Sequence, residues 1–77
     1  MTESWVAVKM NVSDEHLSEV LEMLPAMKSP TIYPLHKEGW QAVEVAVTEK
    51  VARDLIPKLK RAGATAIVEY PLTRVFR

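Results

Sequence analysis

Residues 5–12 alternate along the chain: Val6, Val8, Met10 and Val12 fall on one side, Trp5, Ala7, Lys9 and Asn11 on the other. Such alternation is the signature of a strand with one buried face. The period then changes. Leu17, Val20, Leu21 and Leu24 recur at helical spacing, which predicts a helix over residues 14–24 with Glu15, Glu19 and Glu22 facing water. Ser13 is its candidate N-cap, Asp14 and Glu15 suit the positive end of the helix dipole, and Pro25 stops it.

The same grammar returns in the second half. Val43, Val45 and Val47 point one way, and Trp40, Ala42, Glu44 and Ala46 the other. Thr48 is a candidate cap for a helix over residues 49–62, whose apolar stripe reads Val51, Leu55, Leu59 and Ala62 with Ile56 beside it. Lys58, Lys60 and Arg61 suit its C-terminal end, and Gly63 is placed to close it. Pro57 lies inside this pattern and predicts a kink or a break. Thr31–Leu35 reads as a short strand, confined to a sheet edge by Pro34. Lys37-Glu38-Gly39 reads as the hairpin after it, and Thr65–Tyr70 as a last strand.

The two halves align at an offset of thirty-five residues. Trp5 meets Trp40, Ala7 meets Ala42, Val8 meets Val43, Val12 meets Val47, Ser13 meets Thr48 and Leu24 meets Leu59. Each half is a strand, a cap and a helix. The order β-α-β-β-α-β predicts an α+β, ferredoxin-like sandwich, with one antiparallel sheet and both helices on one face. If the helices cover the valine face, then Trp5, Ala7, Trp40 and Ala42 lie on the uncovered face. That face is too apolar to be left solvated, so these four residues are assigned to an interface. Lys9 and Glu44 are repeat mates and fall there as neighbours.

Composition narrows the reading. Seventy-seven residues make one domain, residues 1–77, which buries only ~60–65% of its unfolded surface. There is no cysteine, hence no disulfide, and two histidines offer few zinc ligands, so no metal or cofactor is expected. Oligomerisation is the remaining support for so thin a core. Ten Lys+Arg balance ten Asp+Glu without a basic run, which argues against nucleic acid or anionic membrane as a partner. No apolar stretch is long enough to span a bilayer, and Met1-Thr2-Glu3-Ser4 is not a signal peptide, so a cytoplasmic protein is expected.

Catalytic motifs are missing: no phosphate loop, no dinucleotide fingerprint, no metalloprotease or serine-hydrolase signature. His16 and His36 read as surface residues, and no catalytic residue is assigned. The segment from Pro25 to Leu35 stands out because three prolines stiffen a loop carrying the Ser29 and Thr31 hydroxyls, a preorganised polar contact.

The strings MNVSDEHLSEVLEMLPAMKSPTIYPL, GWQAVEVAV and LIPKLKRAGATAIVEYPL resemble the C-terminal regulatory domain of long-form ATP phosphoribosyltransferases, the enzymes that begin histidine biosynthesis. The LPAMKSPT loop is the most specific part, and the resemblance runs from about Trp5 to Val75. It implies a ferredoxin-like fold of the PII-like type, histidine as feedback effector, and packing as trimers within a hexamer. Carried over by position, the effector contacts are Asn11, Met27, Thr31, Ala46, Ala64 and Ala66, with Ser29 in the same loop. Asn11 and Ala46 are repeat mates, so a ligand touching both would sit near the twofold between the halves, where a second subunit closes over it. Some family members carry an acid where Asn11 stands, and a neutral amide binds an ammonium group more weakly.

These observations point to a non-enzymatic regulatory module for histidine or a similar small molecule, working as a homo-oligomer, a trimer by resemblance. A separate catalytic chain is a candidate partner. The alternative is an assembly module that acts through the tryptophan face without a ligand. A small cofactorless enzyme ranks last, because nothing supplies a clear acid or base.

Overall fold

The computed structural model describes residues 4–25 and 30–73 of the chain. The elements follow the expected order: β1 (Trp5–Ser13), α1 (Asp14–Met23), β2 (Thr31–Pro34), β3 (Trp40–Thr48), α2 (Glu49–Arg61) and β4 (Thr65–Pro71). The strands make one antiparallel sheet in the order β2-β3-β1-β4, the ferredoxin-like arrangement. Proline explains part of this order: Pro34 cannot donate to a ladder on both sides, and β2 is an edge strand.

The central pair carries the repeat. β1 and β3 match over nine positions, from Trp5↔Thr48 to Ser13↔Trp40. At the middle, Lys9 pairs with Glu44, its own mate in the other half. A local twofold through this pair therefore exchanges the two halves, and each strand leads at its far end into its own helix.

The core lies under the valine side. Val6, Val8, Met10 and Val12 of β1 are buried, as are Val43, Val45 and Val47 of β3. Val20 from α1 and Ala52, Leu55, Leu59 and Ala62 from α2 close over them, with Leu17, Leu21, Met23, Leu24, Ile56 and Ile67 packed around the rim. None of the described polar or charged side chains is buried. One position differs from the sequence pattern. Val51 is 38% exposed, and Ala52 takes its place in the core. The buried stripe of α2 is 52, 55, 59 and 62; it and the stripe starting at 51 fit the helical period equally well, so packing decides between them.

Helix ends are closed by different means. Thr48 Oγ1 accepts from the Val51 amide at 3.3 Å, a side-chain N-cap. Ser13 has the backbone conformation of an N-cap but makes no such bond; its hydroxyl is hydrogen-bonded to His16 Nδ1 at 3.0 Å. The imidazole one turn ahead competes with the backbone for the hydroxyl. At the other end of α2, the Gly63 amide donates to Lys60 O at 3.2 Å and the Ala64 amide to Leu59 O at 3.0 Å, a Schellman closure with Gly63 at φ +103°.

Pro57 neither breaks nor splits α2, which is assigned as helix without interruption from Glu49 to Arg61. The carbonyl left without its usual donor belongs to Arg53, and both residues lie on the exposed side. Water can satisfy that carbonyl, so the lost bond is not a buried one.

Two outcomes test the helix ends. Thr48→Ala is expected to cost about 1 kcal/mol in urea unfolding, and Ser13→Ala less, because only the first removes a cap bond. Gly63→Ala forces an unfavourable φ and places a Cβ 2.9 Å from His16 Nδ1. It is expected to lose about 1–3 kcal/mol. Adding His16→Ala should recover the part due to the contact and leave the part due to the backbone.

Candidate functional site

Strand pairing fixes which side chains share the uncovered face, because directly paired residues project the same way. Three rows cross it. Tyr33, Ala42, Asn11 and Thr65 make the first; Thr31, Glu44, Lys9 and Val68 the second; Ala46, Ala7 and Tyr70 the third. The expected placement of Trp5, Ala7, Trp40 and Ala42 opposite the valines holds in this register.

The face is not evenly open. Ala7 is 3% exposed and Ala42 is fully buried, although both lie on the side away from the helices. Tyr70 is the reason at Ala7: it starts on β4, crosses above β1, and donates its hydroxyl to Glu44 Oε2 on β3. Ala42 lies in its row between Tyr33 and Asn11. The two alanines form a floor and offer almost no exposed area of their own in the single chain. The surface available for contact comes from Tyr33, Val68 and Tyr70, which are 38%, 51% and 39% exposed.

The tryptophans occupy opposite corners. Trp40 is half-buried, with Lys37 Nζ 5.1 Å from its ring centroid, a cation–π contact at the hairpin. Trp5 is half-buried and lines an apolar cavity of about 50 Å³ with Pro25, Val45, Ala46, Val47, Thr48 and Val51. A shallower groove of about 210 Å³ shares Pro25 and Val51 and continues between the helices past Met23, Asp54, Leu55 and Lys58.

The candidate ligand residues divide into separate groups. Asn11 is paired with Thr65, whose hydroxyl donates to Asn11 O at 3.3 Å, and Ala66 follows directly. Ala66 has φ +52°, and the β1–β4 register shifts between Lys9 and Asn11. A non-glycine residue in this region signals a bulge held in place by its surroundings. Ala64 is buried in the core beside Leu59 and does not face the open side. Thr31 is exposed on β2, opposite Glu44. Met27 and Ser29 lie outside the described residues.

Ala46 sits apart. It pairs with Ala7, four positions along β1 from Asn11, which is about 13 Å at ~3.3 Å per residue. A single amino acid cannot touch both within one protomer. The expectation of one ligand on Asn11 and Ala46 near the local twofold is therefore corrected for the isolated chain: the two positions are symmetric about Lys9 and Glu44 but at opposite ends of the face.

The sequence reading did not find Tyr33, Val68 and Tyr70, because the facing of an edge strand depends on its register with a neighbour. Nor did it find the left-handed Ala66. The hydrogen bond to Glu44 raises the Tyr70 pKa above the ordinary 10.0, with desolvation and the negative charge of Glu44 acting the same way. Among the described residues there is no group of three or more His, Cys, Asp or Glu side chains able to hold a metal ion, and no helix long and apolar enough to cross a membrane.

The elements and their pairing define a two-layer α+β domain of ferredoxin-like arrangement. Residues 2–74 match the family described as HisG, C-terminal domain, and the chain belongs to that family. It is 57% identical over 70 residues to an ATP phosphoribosyltransferase of Pelotomaculum thermopropionicum, covering 91% of this chain and 24% of that protein. It is 51% identical over 73 residues to the enzyme of the same name from Desulforudis audaxviator, covering 95% and 25%. The figure for that of Thermodesulfovibrio yellowstonii is 51% over 75 residues, covering 97% and 26%. The chain thus spans about a quarter of the length of the curated relatives it matches.

The Tyr70–Glu44 bond has a measurable consequence. In ultraviolet titration of a Tyr33→Phe background, Tyr70 should ionise above the ordinary tyrosine range, and Glu44→Gln should bring it down. Because the folded pKa is raised, the bond's contribution to stability is complete below pH 10.0 and is lost as pH rises through the folded value. An unchanged titration in Glu44→Gln would count against the bond.

Proposed function

We propose that this domain is a regulatory module of histidine biosynthesis, without catalytic activity of its own, that binds histidine or a similar amino acid at a boundary between copies of the chain. The copies form a homo-oligomer, a trimer by resemblance to the family. In this reading the transferase chemistry named for the relatives belongs to the parts of those proteins outside the matched quarter, and the module acts on it through packing.

One observation supports the reading above the others. The family's effector positions are split within a protomer, with Asn11 and Ala66 at one end of the open face and Ala46 beside the Trp5 cavity about 13 Å away. A ligand of amino-acid size that uses both sets needs one end from each of two copies. Binding would then be linked to how the copies pack, which is what effector control requires. Tyr33, Val68 and Tyr70 supply apolar surface for the contact.

Asn11 sets the strength. An amide oxygen and a carboxylate can both accept from an ammonium group, but only the carboxylate adds the attraction of a full opposite charge. Titration calorimetry with histidine should show binding in the micromolar to millimolar range, and Asn11→Asp should tighten it about ten-fold. No heat and no thermal shift at millimolar histidine would sink the assignment of this ligand. An oligomer that persists without any amino-acid binding would favour a purely assembling role.

A further inference from the structure

The layer facing away from the open sheet has its own pattern. α1 carries Asp14, Glu15, Glu19 and Glu22 and no Lys or Arg. α2 carries Lys50, Arg53, Lys58, Lys60 and Arg61 against Glu49 and Asp54. All of these side chains are exposed. A chain of zero net charge thus presents a helical layer with one acidic and one basic half.

Helix dipoles explain only part of this. Asp14 and Glu15 at the start of α1 and the cations at the end of α2 lie where the dipoles favour them. Glu19 and Glu22 do not. Glu22 is in the last turn of α1, where a cation would be stabilising, and Lys50 is in the first turn of α2, where an anion would be. Glu15 and Glu19 are spaced i,i+4 and Glu19 and Glu22 i,i+3, spacings at which like charges repel. Among the described residues the one ion pair within 4.0 Å is Glu49–Arg53 inside α2, so no described cation is ion-paired with the stripe on α1.

The two helices run antiparallel: His16 near the start of α1 lies against Gly63 after α2, and Met23 at its end shares a groove with Val51 and Asp54 near the start of α2. A half-turn about an axis parallel to the helices, in the plane of their exposed surface, lays α1 of a second copy antiparallel over α2. That operation brings Glu15 toward Lys60 and Arg61, and Glu22 toward Lys50 and Arg53. The stripes have comparable lengths, about 10 Å from Glu15 to Glu22 and about 15 Å from Lys50 to Lys60. The contact is self-complementary, as a twofold interface must be.

We infer that the helical layer is a second, electrostatic docking surface whose partner is another copy of the chain, α1 of each against α2 of the other. It is separate from the open sheet face and does not depend on ligand binding there. With little apolar area beyond Pro57 and Val51, it is a weak contact that salt dissolves.

Charge exchange tests it. By light scattering and sedimentation, the parent chain should be about twice as massive at low salt as at about 0.5 M NaCl. The variant Glu15→Lys/Glu19→Lys/Glu22→Lys and the variant Lys50→Glu/Arg53→Glu/Lys60→Glu should each stay at the smaller mass at low salt. Their mixture should return to the larger one, because it alone pairs opposite layers. Circular dichroism identifies any variant that fails to fold, and Glu19→Gln/Glu22→Gln then serves as a milder substitute expected to weaken association. A parent mass independent of salt, or a mixture that does not associate, would overturn the inference.

Discussion

The pairing of Lys9 with Glu44 is the constraint from which the rest follows. It sets β1 and β3 in the register that makes the two thirty-five-residue halves symmetric, with nine matched positions. Because side chains in a strand alternate, a slip by one residue would turn every valine of one strand away from the helices. The same register puts Ser13 opposite Trp40 and Thr48 opposite Trp5, so each helix starts at the corner where the other half's tryptophan stands. It also decides that Asn11 and Ala46, equivalent in the repeat, are far apart in space.

The small size of the core makes this register matter more. Seven residues from the two central strands and a few from each helix carry the packing, and no described polar group is buried to anchor it further. Truncating a fully buried side chain such as Leu59 in a core of this kind removes about 2–5 kcal/mol, a large share of what a domain of this length possesses. Assembly is therefore consistent with the physical needs of the chain. It has two unlike surfaces to use: a sheet face of aromatic and small residues, and a helical face of separated charges.

Much of this was legible in the sequence because the two periods are clean. Alternation in residues 5–12 and 40–47 and the leucine spacing gave the elements to within a residue or two, and Pro34 placed β2 at an edge. Val51 misled because it and Ala52 fit the helical period equally well, and only the packing against the sheet buries the smaller of the two. Pro57 misled because the cost of a proline depends on whether the carbonyl it orphans is buried, which no local pattern reveals. Ser13 and Thr48 look equivalent as caps until the imidazole of His16 is placed within reach of the first. In the candidate site, the positions on β1 and β3 were readable from alternation, whereas Tyr70 over Ala7 and the bulge at Ala66 depend on the alignment of β4 with a strand some sixty residues earlier.

The bulge at Ala66 has a consequence for how large an assembly can grow. A sheet with two flat, regular edges can add strands from copy after copy without limit. Here one edge is β2, four residues long and ending in Pro34, and the other is β4, irregular at Ala66 and ending in Pro71. Both edges are poor templates for a further strand. Growth by strand addition is therefore disfavoured at both edges, and the faces are left as the surfaces through which copies could meet. The irregularity beside Asn11 thus guards one edge of the sheet against runaway strand pairing.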